Sequence, residues 1–276
     1  MGNLENCFID MSEGVFSLGV STLFKPRNPH KAIKEILAAG INTDTVEIAI
    51  ADQIPFGEAR KIKNLGKEKN IDFSVHAPFL FDDIAYPHDE IRKIFVNEVK
   101  KSIDFAEQIG AKMVNTHPGK KSIRPPEVDV FSELPYQKDL YLKNSMESLA
   151  EIKNYAESKN IIMAVENTSE GVGKSPRNIN TLISKTEGVI FNLDIGHSNI
   201  TRNTEEFLEL PISHMHLHDN DGVEDRHRPP GEGNINFKEL KENLLNKGYK
   251  GKIILELYSI AEILKGLEYL ASKCWL

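Results

Sequence analysis

Cysteine is almost missing from this sequence: two in 276 residues, Cys7 and Cys274, at opposite ends and in no Cys-x-x-Cys pairing. That excludes a disulfide framework and a thiolate metal site, and makes a reducing cytosol the expected location. Long apolar runs are missing as well. None approaches the roughly 20 residues that cross a bilayer, so no membrane role is expected. The opening MGNLENCFIDMSEG has no apolar h-region, and Asn6 stands where a myristoylation signal needs Ser or Thr. Positive charge is in deficit: 34 Lys and Arg against 41 Asp and Glu leave −7, which offers no general attraction to nucleic acid, although a local basic patch stays open. Tryptophan occurs once, at Trp275. No low-complexity segment, close repeat or linker interrupts the chain, so one domain over residues 1–276 is expected.

What is present is an alternation of short β-branched runs with longer amphipathic stretches. VFSLGVST precedes PHKAIKEILAAG, TVEIAIA precedes FGEARKIKNLGKEK, and DFSVHAP precedes DEIRKIFVNEVKKSIDFAEQIG. In the last of these, Ile91, Ile94, Phe95 and Val99 are predicted on one helical face, with Gly110 ending the helix. KMVNTHPG, IIMAVENT, VIFNLDIGH, ISHMHLHD and KIILELY complete the set, each with a helical pattern behind it. Alternating strand–helix units imply a parallel sheet, and eight in a row at this length predict an α/β fold closed as a (β/α)8 TIM barrel.

The polar residues then take on a pattern, because nearly every predicted strand carries one near its C-terminal end. His76 closes the third, His117 the fourth, Glu166 the fifth, Asp194 and His197 the sixth, His216 the seventh and Glu256 the eighth, with Asp225 and His227 on the loop after the seventh. In a barrel those ends share one rim, where chemistry is placed. Singly, most have a plain structural explanation: His76 as a satisfied rim histidine, His117 as a shaper of the turn at Pro118-Gly119. Glu166 and Glu256 resist it, since each interrupts an apolar strand and an unpaired interior carboxylate is costly. His214, His216 and His218 alternate and so face one side of their strand, where one would suffice as a ligand. Four carboxylates crowded together call for cations, and nitrogen and oxygen donors without thiolate suit zinc or manganese. Lys120, Lys121 and Arg124 are expected in a solvated loop, and with Lys174, Arg177, Arg226 and Arg228 they offer a basic rim for a phosphate backbone.

The series VHAP, THPG, VENT, DIGH, HLHD, DRH, GEGNINF and LEL resembles the xylose isomerase-like barrel superfamily, also called AP endonuclease family 2, over nearly the whole chain. Two of its groups bear on this sequence. Similarity to endonuclease IV implies three zinc ions: one on His76, His117 and Glu166, a second on Glu166, Asp194, His216 and Glu256, a third on His197, Asp225 and His227. It implies metal-activated water attacking a phosphodiester of abasic nucleic acid. Similarity to the sugar isomerase/epimerase group implies a single Mn2+ or similar ion on Glu166, Asp194, His216 and Glu256. The two glutamates then act as proton acceptor and donor, and His197 and Arg226 touch hydroxyls or phosphate of a sugar or sugar phosphate. The chain lacks the Asn-Pro-Arg-x-Trp loop that enters DNA in endonuclease IV, reading AIADQIPFGEAR instead. The complete ligand set places trinuclear hydrolysis first, with the sugar isomerase or epimerase as the alternative. A non-enzymatic sensor comes last, because no ligand is missing. No protein partner is implied.

Overall fold

The structure is a computed structural model that describes residues 9–10, 15–53, 57–80, 83–119 and 136–276. The segment carrying Asn6 and Cys7, and the basic trio Lys120, Lys121 and Arg124, lie outside the described residues. Eight parallel strands run in chain order: β1 (Ser17–Ser21), β2 (Thr45–Ala49), β3 (Asp72–His76), β4 (Met113–Thr116), β5 (Ile162–Glu166), β6 (Val189–Asp194), β7 (Ile212–Leu217) and β8 (Lys252–Leu255). Each pairs with the next, and β8 pairs back to β1, closing the barrel. The connections carry α1 (Pro29–Ala38), α2 (Ala59–Lys69), α3 (Asp89–Ile109), α4 (Tyr136–Glu157), α5 (Pro176–Lys185), α6 (Ile195–Thr201), α7 (Thr204–Leu208) and α8 (Phe237–Asn246), with α9 (Ile260–Ser272) after β8. This is the expected (β/α)8 barrel.

Alternation along each strand divides the molecule into two interiors. Val46, Ile48, Val75, Val114, Val165, Phe191, Leu193, Met215, Leu217, Ile253 and Leu255 belong to the apolar core that also includes helix residues such as Ile33, Ile62, Ile103, Leu149, Leu182, Leu244 and Leu267. Full burial of each such aliphatic side chain is worth about 1.5–3 kcal/mol. The intervening strand positions face the barrel axis; Ala49, Met113, Ala164 and Ile254 there are apolar, but most of the buried residues are polar: Glu47, Ser74, His76, Asn115, Glu166, Asn192, Asp194, His214 and His216. A shell of ordinary hydrophobic packing therefore surrounds a largely polar interior.

Local chemistry sets the element boundaries. Gly110 caps α3 in the left-handed region at φ 85°, as expected. Ser259 caps α9, accepting from the Glu262 amide at 3.2 Å, while the Glu262 carboxylate accepts from the Ser259 hydroxyl at 3.1 Å. The buried face of α3 differs from the one predicted: it comprises Val96, Val99, Ile103, Phe105, Ala106 and Ile109, whereas Ile91 and Ile94 are exposed. Ile94 is five residues from Val99 and so lies on the far side of the helix. A register shift between Phe191 and Asn192 realigns β6 on β7, so that Asn192 faces His214 and Asp194 faces His216. No helix among the described residues is long and apolar enough to cross a membrane.

Candidate metal centre

The closed barrel brings the strand ends to one rim. His76 ends β3, Glu166 ends β5, Asp194 ends β6 and His216 lies within β7, while His117 and Glu256 follow β4 and β8 by one residue. His197 is not at a strand end as predicted: it sits in the first turn of α6. The reason is a cap, since the Asp194 carboxylate accepts from the His197 amide at 2.6 Å and starts the helix at once. Asn167 fixes this junction, donating to the Asp194 carbonyl and accepting from the Asp194 amide, both at 2.8 Å. Gly196 is required here, because a Cβ would stand 1.9 Å from the His218 ring. Asp225 and His227 are held by a bridge between Asp219 and Arg228, and the Asp219 carboxylate accepts from the amides of Gly231 and Gly233 at 2.9 Å.

The structure brings the nine candidate residues together, in the three groups that the resemblance to endonuclease IV implies. Single donor atoms of Glu166, Asp194, His216 and Glu256 lie within 4.8 Å of one another, and the same holds for His76, His117 and Glu166 and for His197, Asp225 and His227. Three imidazoles are oriented alike. The Nδ1 of His76 is 2.7 Å from the Ala77 carbonyl, that of His197 2.9 Å from the Asn167 carbonyl, and that of His227 2.9 Å from the Glu256 carbonyl. A carbonyl only accepts, so Nδ1 carries the proton and donates, leaving Nε2 to face a carboxylate. Those distances are 3.2 Å from His76 to Glu166, 2.9 Å from His197 to Asp225 and 3.6 Å from His227 to Asp225. His216 is turned the other way: its Nδ1 is 3.3 Å from both Glu166 and Glu256 and, though fully buried, makes no hydrogen bond.

Electrostatics bind the cluster. Burial pushes Glu166 upward, but His216 and His76 outweigh it and hold the carboxyl well below its usual range. Asp194 is likewise lowered, burial being overcome by His197 and His218. Burial alone would lower the histidines; instead Glu166 drives His76 up to about 9, and Asp225 drives His227 up to about 9. His197 and His216 are raised well above their ordinary value against the same burial, by Asp194 and Asp225 and by Glu256, Glu166 and Glu47 respectively. Without cations, protons do the neutralising.

Two predicted participants are placed otherwise, and others were missed. Arg226 is exposed and its Nε donates to Glu224 at 2.6 Å: Asp225 and His227 turn inward, and the residue between them turns to water. Arg228 is paired with Asp221 at 2.9 Å, so acids neutralise this part of the expected basic rim. Glu47, on β2, is a fifth carboxylate of the interior, fully buried, 2.9 Å from His216 and 3.5 Å from His214. Its signal was in TVEIAIA, an acid interrupting an apolar strand as in the strands of Glu166 and Glu256. Three dications and one hydroxide would thus leave the interior near neutral rather than cationic. Asn115 and Asn192 both donate to Glu166. His218 stands 3.2 Å from Asp194 and stacks on His227 with ring centroids 3.8 Å apart. Tyr258, beside His227 at the mouth, is pushed up to about 12 by burial and the neighbouring Asp225 and Glu256.

These donors fit a metal. The quartet offers three carboxylates and an imidazole whose buried Nδ1 makes no hydrogen bond, and supporting amides and carbonyls fix the ligands' orientation. The set suits zinc or manganese and does not choose between them.

The chain is similar to several known proteins. An uncharacterized protein of Methanocaldococcus jannaschii is 32% identical over 280 residues, covering 95% of this chain and 89% of that one. A crystal structure of a D-tagatose 3-epimerase-like protein superposes with a TM-score of 0.80 at 27% identity, covering 93% of this chain and 96% of the other. An inosose dehydratase of Yersinia enterocolitica is 25% identical over 199 residues, 63% of this chain and 67% of that protein. Residues 35–273 match the family described as xylose isomerase-like TIM barrel, and the chain belongs to it.

Proposed function

We propose that the protein is a divalent-metal-dependent sugar epimerase or isomerase acting on a ketose or a related polyhydroxylated ketone. The observation that carries this reading is the presence of both Glu166 and Glu256 in the one quartet with Asp194 and His216. A divalent cation held there, Mn2+ or Zn2+, would fix the substrate's carbonyl and hydroxyl oxygens and stabilise the negative charge that builds as a proton leaves. The protein's own groups carry the proton. One glutamate oxygen accepts it from the carbon beside the carbonyl, whose electron pair moves towards the carbonyl oxygen. The other glutamate returns a proton to the opposite face, inverting that carbon. Asn115 and Asn192 hold Glu166 for this work, and His197, Asp225 and Tyr258 line the mouth.

Two further points support the sugar over a phosphodiester. Glu47 makes the interior less cationic than trinuclear hydrolysis of an anion calls for, and Arg226 and Arg228 are engaged by acids. The similarity to a D-tagatose 3-epimerase-like protein points the same way. Metal-loaded protein incubated with a panel of ketoses should produce a second sugar differing at one carbon, read by chromatography. A panel left unchanged, with incision of abasic duplex DNA by the same preparation, would reverse the assignment.

Trinuclear phosphodiester hydrolysis on zinc is the second reading, favoured by one observation: the groups around His76 and His117 and around His197 and His227 have ligand geometry in their own right. Metal analysis separates the two, with about one tightly held equivalent for the epimerase and about three for the hydrolase. Under the hydrolase reading His117→Ala and His227→Ala each lose metal and orders of magnitude in rate. Under the epimerase reading both retain the central ion.

A further inference from the structure

Two side chains at the mouth come from different strand ends, and nothing in the covalent chain sets the distance between them. His197 rides on the first turn of α6, after β6, and Asp225 on the loop after β7, yet His197 Nε2 stands 2.9 Å from Asp225 Oδ2. Each is fixed within its own element. His197 is held at its amide by the Asp194 carboxylate and at Nδ1 by the Asn167 carbonyl, so its ring cannot swing to follow a moving partner. The loop is gathered on Asp219, whose carboxylate accepts from the amides of Asn220, Gly231, Gly233 and Ile235. Neither device fixes α6 against the loop.

We infer that Asn220 is the positioning residue that does so: its side-chain amide ties the first turn of α6 to the loop after β7 and thereby sets the spacing of His197 and Asp225. Its Nδ2 donates to the carbonyl of Gly196, the residue before His197, at 2.9 Å. Its Oδ1 accepts from the Gly222 amide of the loop at 2.9 Å and from Asn199 Nδ2 of α6 at 2.7 Å. Apart from the His197–Asp225 pair itself, the hydrogen bonds that join α6 to this loop among the described residues are those from Asn220 to Gly196, from Asn199 to Asn220 and from Asn199 to Asn234, so Asn220 takes part in two of the three. The residue is itself anchored, its amide donating to Asp219 Oδ1 and its carbonyl accepting from the Asn234 amide, both at 2.9 Å. It is fully buried, where a broken bond leaves a polar group unpaired away from water. The junction needs a donor towards α6 and an acceptor towards the loop on one short planar group, which an amide supplies and a carboxylate or an apolar side chain of that size does not. Asn220 reaches the mouth only through the two elements it joins.

The consequence for turnover rests on the epimerase reading, in which His197 and Asp225 meet the substrate away from the glutamate pair, and the test separates the two. Asn220→Asp exchanges only the NH2 for an oxygen, which sets an acceptor against the Gly196 carbonyl. Crystal structures of the metal-loaded wild type and variant, above neutral pH where the new carboxyl is ionised, should show the His197–Asp225 spacing open from 2.9 Å to beyond about 3.5 Å. With the ketose that the wild type turns over, KM should rise about tenfold and kcat fall less than about threefold, as when binding alone is lost. The rise should vanish in an Asp225→Asn background, because Asn220 acts through Asp225. A merely structural role would instead lower kcat with the folded fraction and leave KM unchanged. Should Asn220→Asp fail to fold, Asn199→Ala cuts the same tie from the outer side of α6 and should give a smaller opening and a smaller rise in KM. A spacing held at 2.9 Å in the variant, a loss of kcat at constant KM, or an equal effect in the Asp225→Asn background would each overturn the inference. A wild type inert on every ketose would overturn the functional reading, and the spacing would then decide this inference by itself.

Discussion

Loading this centre with metal should expel protons, by an amount the structure sets. A nitrogen that binds a cation must first lose its proton. In the metal-free protein the surrounding carboxylates hold His76 and His227 at about 9 and His216 well above its ordinary value of 6.5. At pH 7 a group with a pKa of about 9 is roughly 99% protonated. Filling the quartet alone therefore releases about one proton, from His216, and the apparent affinity should rise about tenfold per pH unit from neutrality upward. Filling the flanking groups as well would release about one more for each additional histidine displaced. The same shifts act on the metal-free fold. A histidine raised in the folded state stabilises it fully below about pH 6.5, and that contribution is lost as pH rises through about 9. A shift of this size corresponds to about 3 kcal/mol for His76 and the same for His227, both upper bounds because the pair lean on a shared set of carboxylates. Calorimetry of Mn2+ binding in two buffers of different ionisation heat, at pH 6.5, 7.5 and 8.5, counts the protons. Thermal melts of chelator-treated protein over that range should fall with pH, and metal should restore them. An affinity independent of pH with no proton released, or a metal-free protein more stable at pH 9 than at 6.5, would refute the electrostatic account.

Other consequences follow from single contacts. Glu166→Gln should leave the barrel folded and cost at least about a thousand-fold in turnover, since it weakens the shared ligand and removes one of the two proton carriers; near wild-type turnover with unchanged metal content would sink that assignment. Gly196→Ala places a Cβ 1.9 Å from the His218 ring, so it should destabilise the protein by about 1–3 kcal/mol in chemical denaturation and weaken metal binding by disturbing the Asp194 cap. Unchanged stability and affinity would mean that the α6 junction yields more easily than its contacts suggest.

The barrel was legible because its determinants are local and periodic: eight apolar runs with helical patterns behind them leave few other ways to bury both sets. The candidate ligands stood out for a related reason, as a carboxylate or imidazole within an apolar strand such as IIMAVENT contrasts with its neighbours. Glu47 carried the same signal in TVEIAIA, but with no motif beside it the run reads as plain core. His197 was misplaced because DIGH continues the apolar pattern of VIFNL, and only the capping bond from Asp194 reveals that the strand has ended. Arg226 was expected in the site only through the resemblance to the sugar isomerase/epimerase group, and its place between two inward-facing residues turns it outward to Glu224. The uncharged supports Asn115, Asn167 and Asn192 gave no signal at all, since an asparagine in a strand becomes informative only when its partners are known.

Proton exchange at carbon tests the central claim most directly. Metal-loaded protein and a panel of ketoses in D2O, followed by NMR, should show deuterium entering at the single carbon beside the carbonyl whose configuration the enzyme inverts. The exchange should be lost in Glu166→Gln and in Glu256→Gln. Epimerisation without deuterium entry would contradict the glutamate-pair mechanism, and the absence of both exchange and epimerisation across the panel would contradict the proposed function.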